Sequence, residues 1–354
     1  MPESPPPEAK APPEAGAPPW PVEVALPSLD GIRDAARRIR ADHMVTPLVR
    51  SELLSSAFEA DIWLKNETVS PVASFKLRGA LTALLRARER GTVAGTVSSS
   101  TGNHGQGVAY AARLLDLPCT VFLPDNANPV KRAMIAALGA AVHEVGHDID
   151  AAKAQALAFC EAQGHVFVDD GENVDVIEGA GTVGLEVAEA LADIDRLIVP
   201  MGAATFVAGC GAAMRGLQPK AKVIAVQAKG SAALHDSFHA GRPIARDIDT
   251  IAEGLTTRIP PTHALTAMLA FVDDSWLTDD GAMLSAIRTL AECAHVLVEP
   301  AGAATMAAAW SRRAELVGRR VVLVLSGANI APEHLRAAVN AEPTFSLETA
   351  SRRG

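Results

Sequence analysis

The chain has 354 residues, and apolar side chains make up 49% of them, which is enough to bury a sizeable core in two lobes. Charged residues amount to 21% in mixed sign with a net charge of -9, and no Lys/Arg stripe or aromatic platform is visible, so the composition argues against a nucleic-acid partner. No uncharged apolar run reaches the roughly 18 residues of a membrane span, and we expect no membrane contact and a cytoplasmic location.

The N-terminal segment 1–21 predicts a disordered tail, because it holds nine of the 23 prolines. It also lacks the apolar segment of a signal peptide. A second, short tail is expected over 346–354. The four cysteines are far apart and show no CxxC spacing, so we expect buried free thiols in a reducing compartment.

From Asp30 onward, the pattern alternates apolar strands of roughly four to six residues with helices of about 10–18. A first helix is predicted over 30–42, with Ser28 or Asp30 as its cap. The predicted strands are, in chain order, ADIWLKNE, GTVSSS, CTVFLP, AVHEVG, RLIVPMGAA, KVIAVQA and RRVVLVLSGAN. The predicted helices are SFKLRGALTALLRARERG, GNHGQGVAYAARLLD, NPVKRAMIAALGA, DIDAAKAQALAFCEAQG, GTVGLEVAEALAD and GAMLSAIRTLAECA. This alternation predicts an α/β fold with parallel sheets covered by helices on both faces.

Three polar turns follow predicted strands, in SSSTGNHG, PMGAATF and LSGAN. In open α/β sheets, ligands bind outside the carboxyl ends of the strands. We therefore expect the three turns to converge on one site, although they are far apart in the sequence.

Lys76 lies just inside a predicted helix start, where a lysine is ordinarily a solvated surface charge. Its neighbours Phe75 and Leu77 are apolar, and Pro71 fixes the approach of the chain, which favours a partly buried side chain. Burial disfavours the charged form of a lysine, and a neutral amine can form a Schiff base. Lys76 is therefore a candidate nucleophile and base.

The segment SSSTGNHGQG puts hydroxyls and free backbone amides at a helix N-terminus, a geometry that attracts a carboxylate or a phosphate. A plain N-cap with glycine packing explains the same residues equally well. His104 is interpreted as a packing histidine, since no second ligand stands at metal-binding spacing. The turn in PMGAATF alone is weak evidence for a binding site. The small residues that follow it favour a second anion-binding nest, formed by backbone amides.

These motifs occur in the order found in the fold-type II pyridoxal-phosphate enzymes, and the chain resembles their threonine/serine dehydratase group from about Gly31 to Asn340. The segments VIEGAGTVGLE and EPAGAA are also similar to that family. The resemblance implies pyridoxal 5′-phosphate as cofactor, a fold like the tryptophan synthase β subunit with two open parallel-sheet domains, and a homodimer. The large domain would comprise 22–94 and 166–345, and the small domain 95–165.

The resemblance also implies a role for each candidate residue. Lys76, beside Phe75, would carry the Schiff base. Asn103 would hydrogen-bond the phenolic oxygen of the cofactor, and Ser326 would face its pyridine nitrogen. The residues implied to bind the substrate, chiefly its carboxylate, are Ser100, Thr101, Gly102 and His104. Those implied to bind the cofactor phosphate are Gly202, Ala203, Ala204 and Thr205.

The turn Gly202–Thr205 departs from the run of four glycines that relatives usually carry. A positive φ would cost an alanine about 1–2 kcal/mol, and in a β-branched threonine it would be an outlier. We expect either negative φ at these positions or weakened cofactor affinity, with the Thr205 hydroxyl compensating by donating to the phosphate. Relatives that bind a divalent cation use a carboxylate after the strand matching KVIAVQA, and Gln227 stands there, which predicts no metal site.

The implied reaction removes water and ammonia from a 3-hydroxy amino acid of the threonine or serine type. Lys76 would take the Cα proton, and the products would be a 2-oxo acid and ammonia. Two alternatives on this scaffold stay open: a larger or modified 3-hydroxy amino acid, and racemisation through the Thr101 hydroxyl. Helix capping by Thr101 favours elimination. A binding protein that has lost the cofactor is a third alternative, against which the retained Lys76, Asn103 and Ser326 count.

Overall fold

The computed structural model describes Trp20 and residues 22–100, 102–125, 127, 129–147 and 149–346. The tails predicted over 1–21 and 346–354 fall almost entirely outside these ranges, and Thr101 also lies outside them. The described residues form thirteen α-helices and ten strands in two sheets. None of the described helices has both the length and the apolar character that crossing a bilayer requires.

The strands are β1 Leu48–Arg50, β2 Asp61–Asn66, β3 Thr96–Ser99, β4 Cys119–Leu123, β5 Ala141–Glu144, β6 Val166–Phe167, β7 Arg196–Pro200, β8 Lys222–Ala228, β9 Asp274–Thr278 and β10 Arg320–Leu325. The helices are α1 Leu29–Ile39, α2 Glu52–Phe58, α3 Lys76–Arg90, α4 Asn103–Leu114, α5 Pro129–Ala137, α6 Ile149–Gln163, α7 Val174–Ala190, α8 Thr205–Leu217, α9 Ala233–Ala240, α10 Thr262–Phe271, α11 Asp280–Ala294, α12 Pro300–Ser311 and α13 Pro332–Asn340.

The larger sheet has six strands in the order β1-β2-β10-β7-β8-β9. All its pairs are parallel except β1 with β2. Successive residues of its central strands enter two different cores: Leu197 and Val199 lie in one, and Ile198 lies in the other. A strand buried on both faces reads as a continuous apolar run, which explains sequences such as RLIVP and RVVLVL.

The smaller sheet has four parallel strands in the order β5-β4-β3-β6. Helix α6 packs on one face, with Val97 and Phe122 in the core beneath it, and α3 and α4 enclose a second core on the other face. The two-sheet α/β fold predicted from the sequence is confirmed, with β1 as an antiparallel addition. The small domain was predicted to end at residue 165. Val166 and Phe167 pair with β3 of the small sheet, so that end needs correction to residue 167 or beyond.

Helix α3 carries a buried ionic cluster that we call the α3 ion network, consisting of Thr46, Lys65, Glu67, Arg78 and Glu186. Arg78 is fully buried and donates to both carboxylates, at 2.8 Å to Glu67 Oε2 and 2.7 Å to Glu186 Oε1. Lys65 donates to Glu186 and, at 2.7 Å, to the carbonyl of Thr46. Because buried charges are tolerated only when they are paired, the network ties α3 to β2 and α7 in one arrangement.

Candidate active site

The three polar turns meet at the start of α3, as the sequence predicted. The amide of Phe75 donates to the carbonyl of Ser326, at 3.1 Å, and Ser74 forms a bridge with Gly327. The Phe75 ring stacks on Phe206 in the first turn of α8, with ring centroids 3.7 Å apart and planes 8° apart. Backbone pairing and aromatic stacking therefore fix the start of α3 against the ends of β7 and β10.

Lys76 is the first residue of α3, and its side chain is 14% exposed. Its Nζ lies 4.8 Å from the centroid of the Phe75 ring and donates to Oδ2 of Asp170, a residue 94 positions away. The sequence pattern anticipated a partly buried lysine here. It did not identify Asp170 as a partner.

Asp170 belongs to a junction loop, residues 169–173, between β6 and α7. Its Oδ1 lies 3.7 Å from Nδ1 of His104, and neither of these buried atoms has a hydrogen-bond partner among the described residues. Its backbone carbonyl accepts a hydrogen bond from the Thr205 hydroxyl. One residue thus contacts the lysine, the phosphate turn predicted at Gly202–Thr205 and the helix α4.

His104 is buried, and its Nε2 lies 2.9 Å from the carbonyl oxygen of Val168. A carbonyl can only accept, so Nε2 carries a hydrogen, and Nδ1 is the nitrogen that faces Asp170. This geometry is partly that of a packing histidine, as the sequence suggested, but its second nitrogen faces the carboxylate that pairs with Lys76.

Asn103, the first residue of α4, is held from both ends of its amide. Its Nδ2 donates to Oε1 of Glu299 at 2.6 Å, and its Oδ1 accepts from Asn329 at 2.7 Å. Burial raises the pKa of Glu299, against the lowering effect of the Asn103 amide. The second hydrogen of Nδ2 remains for a ligand. Sequence analysis missed Glu299 and Asn329, although both stand in the family-like segments EPAGAA and LSGAN.

The turn Gly202–Thr205 joins β7 to α8, whose first-turn amides have no partner within the helix. Ala204 has φ 64°, and it is the single member of this turn with a positive φ. The expectation of strain is therefore met at one alanine, at about 1–2 kcal/mol. A Cβ at Gly202 would lie 2.4 Å from the carbonyl of Gly254, so glycine is required there.

The Thr205 hydroxyl has a single hydrogen, and in this structure it donates to the Asp170 carbonyl rather than pointing free toward an anion. Backbone amides of Ala203 and the first turn of α8 are then the donors available to a phosphate. The Thr205 hydroxyl instead connects the turn to the junction loop by a hydrogen bond. A phosphate contact from Thr205 stays a prediction.

The substrate-binding residues predicted at the end of β3 surround the N-terminus of α4. The amide of Gly102 lies 3.3 Å from the Ser100 hydroxyl oxygen, to which it donates, and the space where a Gly102 side chain would project is open. A carboxylate at this helix start would meet free amides and the positive end of the helix dipole. Thr101, which completes the predicted set, lies outside the described residues.

The donor set fits pyridoxal phosphate. Lys76 would supply an amine for the aldehyde, the first turn of α8 would supply amides for the phosphate, and Asn103 would donate its remaining hydrogen to the phenolic oxygen. Ser326, buried at the end of β10, is the hydroxyl implied to face the pyridine nitrogen. No group of three or more His, Cys, Asp or Glu side chains suited to a metal ion occurs in the described part of the chain.

Comparison with known proteins supports this fit. Residues 39–327 match the family model described as "Pyridoxal-phosphate dependent enzyme". An L-threonine ammonia-lyase of Geobacter sulfurreducens is 33% identical over 300 residues, which cover 84% of this chain and 75% of that protein. An L-threo-3-hydroxyaspartate ammonia-lyase of Saccharomyces cerevisiae is 29% identical over 306 residues, covering 86% of this chain and 94% of that protein.

Solved structures with the same fold include maize serine racemase, with a TM-score of 0.84, 27% identity, and coverage of 88% of this chain and 96% of the other. The processed form of threonine deaminase isoform 2 from Solanum lycopersicum gives a TM-score of 0.80 at 27% identity, covering 91% of this chain and 98% of that one. The match to the family model spans most of the chain. The chain therefore belongs to the family of pyridoxal-phosphate dependent enzymes.

Proposed function

We propose that this enzyme is an ammonia-lyase that converts a 3-hydroxy amino acid of the threonine or serine type to a 2-oxo acid and ammonia. The observation that carries the proposal is the placement of Lys76. Its amine donates to Asp170, and Asp170 also contacts His104 in the first turn of α4 and Thr205 in the first turn of α8. Relatives at about a third identity bear the name L-threonine ammonia-lyase.

The α4 N-terminus would hold the substrate carboxylate through its free backbone amides and through the Ser100 hydroxyl, which accepts from the Gly102 amide and keeps its own hydrogen for a ligand. A carboxylate fixed there orients the amino acid so that one face of its Cα is turned toward Lys76. Proton removal requires an approach to about 3 Å. Asn103, held by Glu299 and Asn329, would position the ring system in a single orientation.

When bound, the cofactor supplies an electron sink for the charge left on Cα. Lys76 would remove the Cα proton, and departure of the 3-hydroxyl group would then follow. Ser326 is a neutral partner for the ring nitrogen, which would keep that nitrogen largely unprotonated. A weaker sink favours prompt loss of the 3-substituent over transamination.

Racemisation is the second candidate, favoured by the TM-score of 0.84 to maize serine racemase. It needs a proton donor on the face of the substrate opposite Lys76. Thr101 is the residue we propose for that position if the reaction occurs. Elimination remains the proposed main reaction, with Thr101 shaping the substrate pocket.

The test is a product screen over L-threonine, L-serine and L-threo-3-hydroxyaspartate. Oxo acid and ammonia are followed together with the D-isomer by chiral chromatography, and Lys76→Ala serves as the inactive control. We expect oxo acid to form faster than any D-isomer. D-isomer forming faster, and lost selectively in Thr101→Ala, would contradict elimination and support racemisation.

We further propose a cytoplasmic homodimer. All four cysteines are free and buried, which fits a reducing compartment. The dimer rests on the resemblance to the dehydratase group. Light scattering should give twice the chain mass of 36.8 kDa, and a monomer mass at micromolar concentration would contradict it.

A further inference from the structure

We propose that Asp170 is the counter-ion of Lys76, a positioning residue that pairs with the lysine nitrogen whenever that nitrogen carries a proton. The inference rests on the proposed function only in that Lys76 carries the cofactor. It starts from one contact: Lys76 Nζ donates to Asp170 Oδ2, and this is the lysine's one ion pair among the described residues.

The carboxylate is fixed in place by its own loop. Asp169 Oδ1 accepts from the Gly171 amide at 2.9 Å, and the Gly171 carbonyl accepts from Ala264 at 3.0 Å. The Asp170 carbonyl is bonded by the Thr205 hydroxyl. Because the backbone is tied on both sides of Asp170, the carboxylate has little freedom to leave the lysine.

His104 does not compete for this carboxylate. Its Nε2 hydrogen is directed at the Val168 carbonyl, and its Nδ1 lies 3.7 Å from Asp170 Oδ1, beyond hydrogen-bond range. The negative charge of Asp170 is therefore directed at Lys76.

The other titratable groups around Lys76 are farther from its nitrogen or are neutralised. Glu299 is bonded to Asn103, and burial raises its pKa, which favours the uncharged acid. Arg78, two residues along α3, is enclosed by Glu67 and Glu186. Asp170 is thus the nearest anionic group, and an opposite charge at contact distance favours the charged form of its partner.

Two consequences follow for the loaded enzyme. The nitrogen that joins Lys76 to the cofactor should hold its proton to higher pH with Asp170 present than without it. Once Lys76 is free and has accepted the Cα proton, the resulting ammonium faces a carboxylate that stabilises it. Loss of the carboxylate should therefore lower kcat more than it alters KM.

The experiment is a pH titration of the visible absorption of the holoenzyme, which reports the protonation of the Lys76–cofactor linkage without any substrate. Asp170→Asn should move the midpoint to lower pH by about one unit or more. Asp170→Glu keeps the charge and should stay near the wild-type midpoint. Asp169→Asn is the matched control, because Asp169 stands in the same loop but pairs with Lys153, and an asparagine still offers Oδ1 to the Gly171 amide. Its midpoint should equal that of the wild type.

An unchanged midpoint in Asp170→Asn would overturn the proposal, and so would equal shifts in Asp170→Asn and Asp170→Glu. If Asp170→Asn does not retain cofactor, the pH dependence of amine labelling at Lys76 is compared between the cofactor-free variant and the cofactor-free wild type by mass spectrometry, and the midpoint of the variant should again be the lower one. The titration does not depend on which amino acid is turned over. Failure of the elimination assay would therefore leave this result standing, and borohydride fixation of the cofactor to another lysine would refute the shared premise instead.

Discussion

Lys76 and Arg78 stand two residues apart in the first turn of α3, and their surroundings differ sharply. Arg78 is fully buried, and it donates to the two carboxylates and the Thr46 hydroxyl of the α3 ion network and to the hydroxyl of Thr182. Lys76 contacts Asp170, whose buried Oδ1, like the buried Nδ1 of His104, has no hydrogen-bond partner among the residues that the structure describes. A polar cluster with every group satisfied holds a structure in one state, whereas unpaired buried groups mark the place where a ligand is expected.

The comparison predicts that the two positions fail in different ways when altered. A change at Lys76 should remove activity and leave the fold, and a change at Arg78 should destabilise the fold itself.

The largest effect is expected from Lys76→Ala. Removing the amine eliminates both the cofactor linkage and the base, so turnover should fall by on the order of 10³-fold or more. The melting temperature should change little, because Asp170 retains partial contact with solvent. Oxo-acid release and thermal unfolding are measured on the same preparation, with Lys229→Ala at a surface ion pair as the control. Substantial residual turnover would refute the assignment of Lys76.

Arg78→Met should destabilise the protein by about 3–5 kcal/mol, because it leaves Glu67 and Glu186 buried with much of their compensating charge removed. Urea unfolding at neutral pH measures the change in the free energy of unfolding. Arg246→Met, which breaks an exposed pair with Asp236, should cost less than about 1 kcal/mol. An equal loss in the free energy of unfolding in the two variants would show that the α3 ion network stabilises the fold no more than an exposed ion pair does.

His43, buried beside the α3 ion network, should make stability depend on pH. Burial, with the nearby charge of Arg78, lowers the pKa of His43 to about 4. The unfolded chain takes up this proton near pH 6.5, so stability is fully present above that pH and is lost as the pH falls toward 4. The loss attributable to His43 is about 3 kcal/mol.

His43→Leu should remove that part of the pH dependence, measured by urea unfolding at pH 7 and pH 4.5. His147→Leu is the control, since His147 is 97% exposed. A pH dependence of stability in His43→Leu as steep as that of the wild type would mean that other groups cause it.

Glu299→Gln should have the smallest effect on the free energy of unfolding. The pH dependence caused by Glu299 is opposite in sign to that caused by His43. Burial raises the pKa of Glu299, so its contribution to stability is present below the ordinary value and is lost as the pH rises. A glutamine can still accept from Asn103 and carries no charge, so the variant should be more stable than the wild type at pH 8 and equally stable near pH 4. Unfolding at both pH values tests this, with the exposed Glu315→Gln as control. A variant less stable than wild type at pH 8 would contradict the prediction.

The sequence predicted those helices and strands whose pattern of apolar and polar residues matches their burial in the fold. The strand KVIAVQA coincides with β8, Ser28 caps α1 as expected, and Lys76 opens α3 beside the predicted turns. Strands buried on both faces and helices with a clear cap carry strong local signals.

The missed features have weak local signals or depend on distant partners. Strand β6 has two residues, too few for any periodicity, and β9 begins with Asp274 and Ser275. Asp170 follows β6, so the rule that polar residues at strand ends form the site would have found it had β6 been identified. Its pairing with Lys76 spans 94 residues and is created by the fold alone.

The junction loop has a final consequence for the tolerance of the chain to insertions. Asp169 pairs with Lys153 of α6, Glu172 accepts from the first two amides of α10, and Asn173 caps α7. Asp170 pairs with Lys76 of α3, so neighbouring residues of this loop bond four different helices. Exposed loops usually accept extra residues, but one added here would shift every later bond out of register. This short connection should therefore resist length changes as strictly as a core strand.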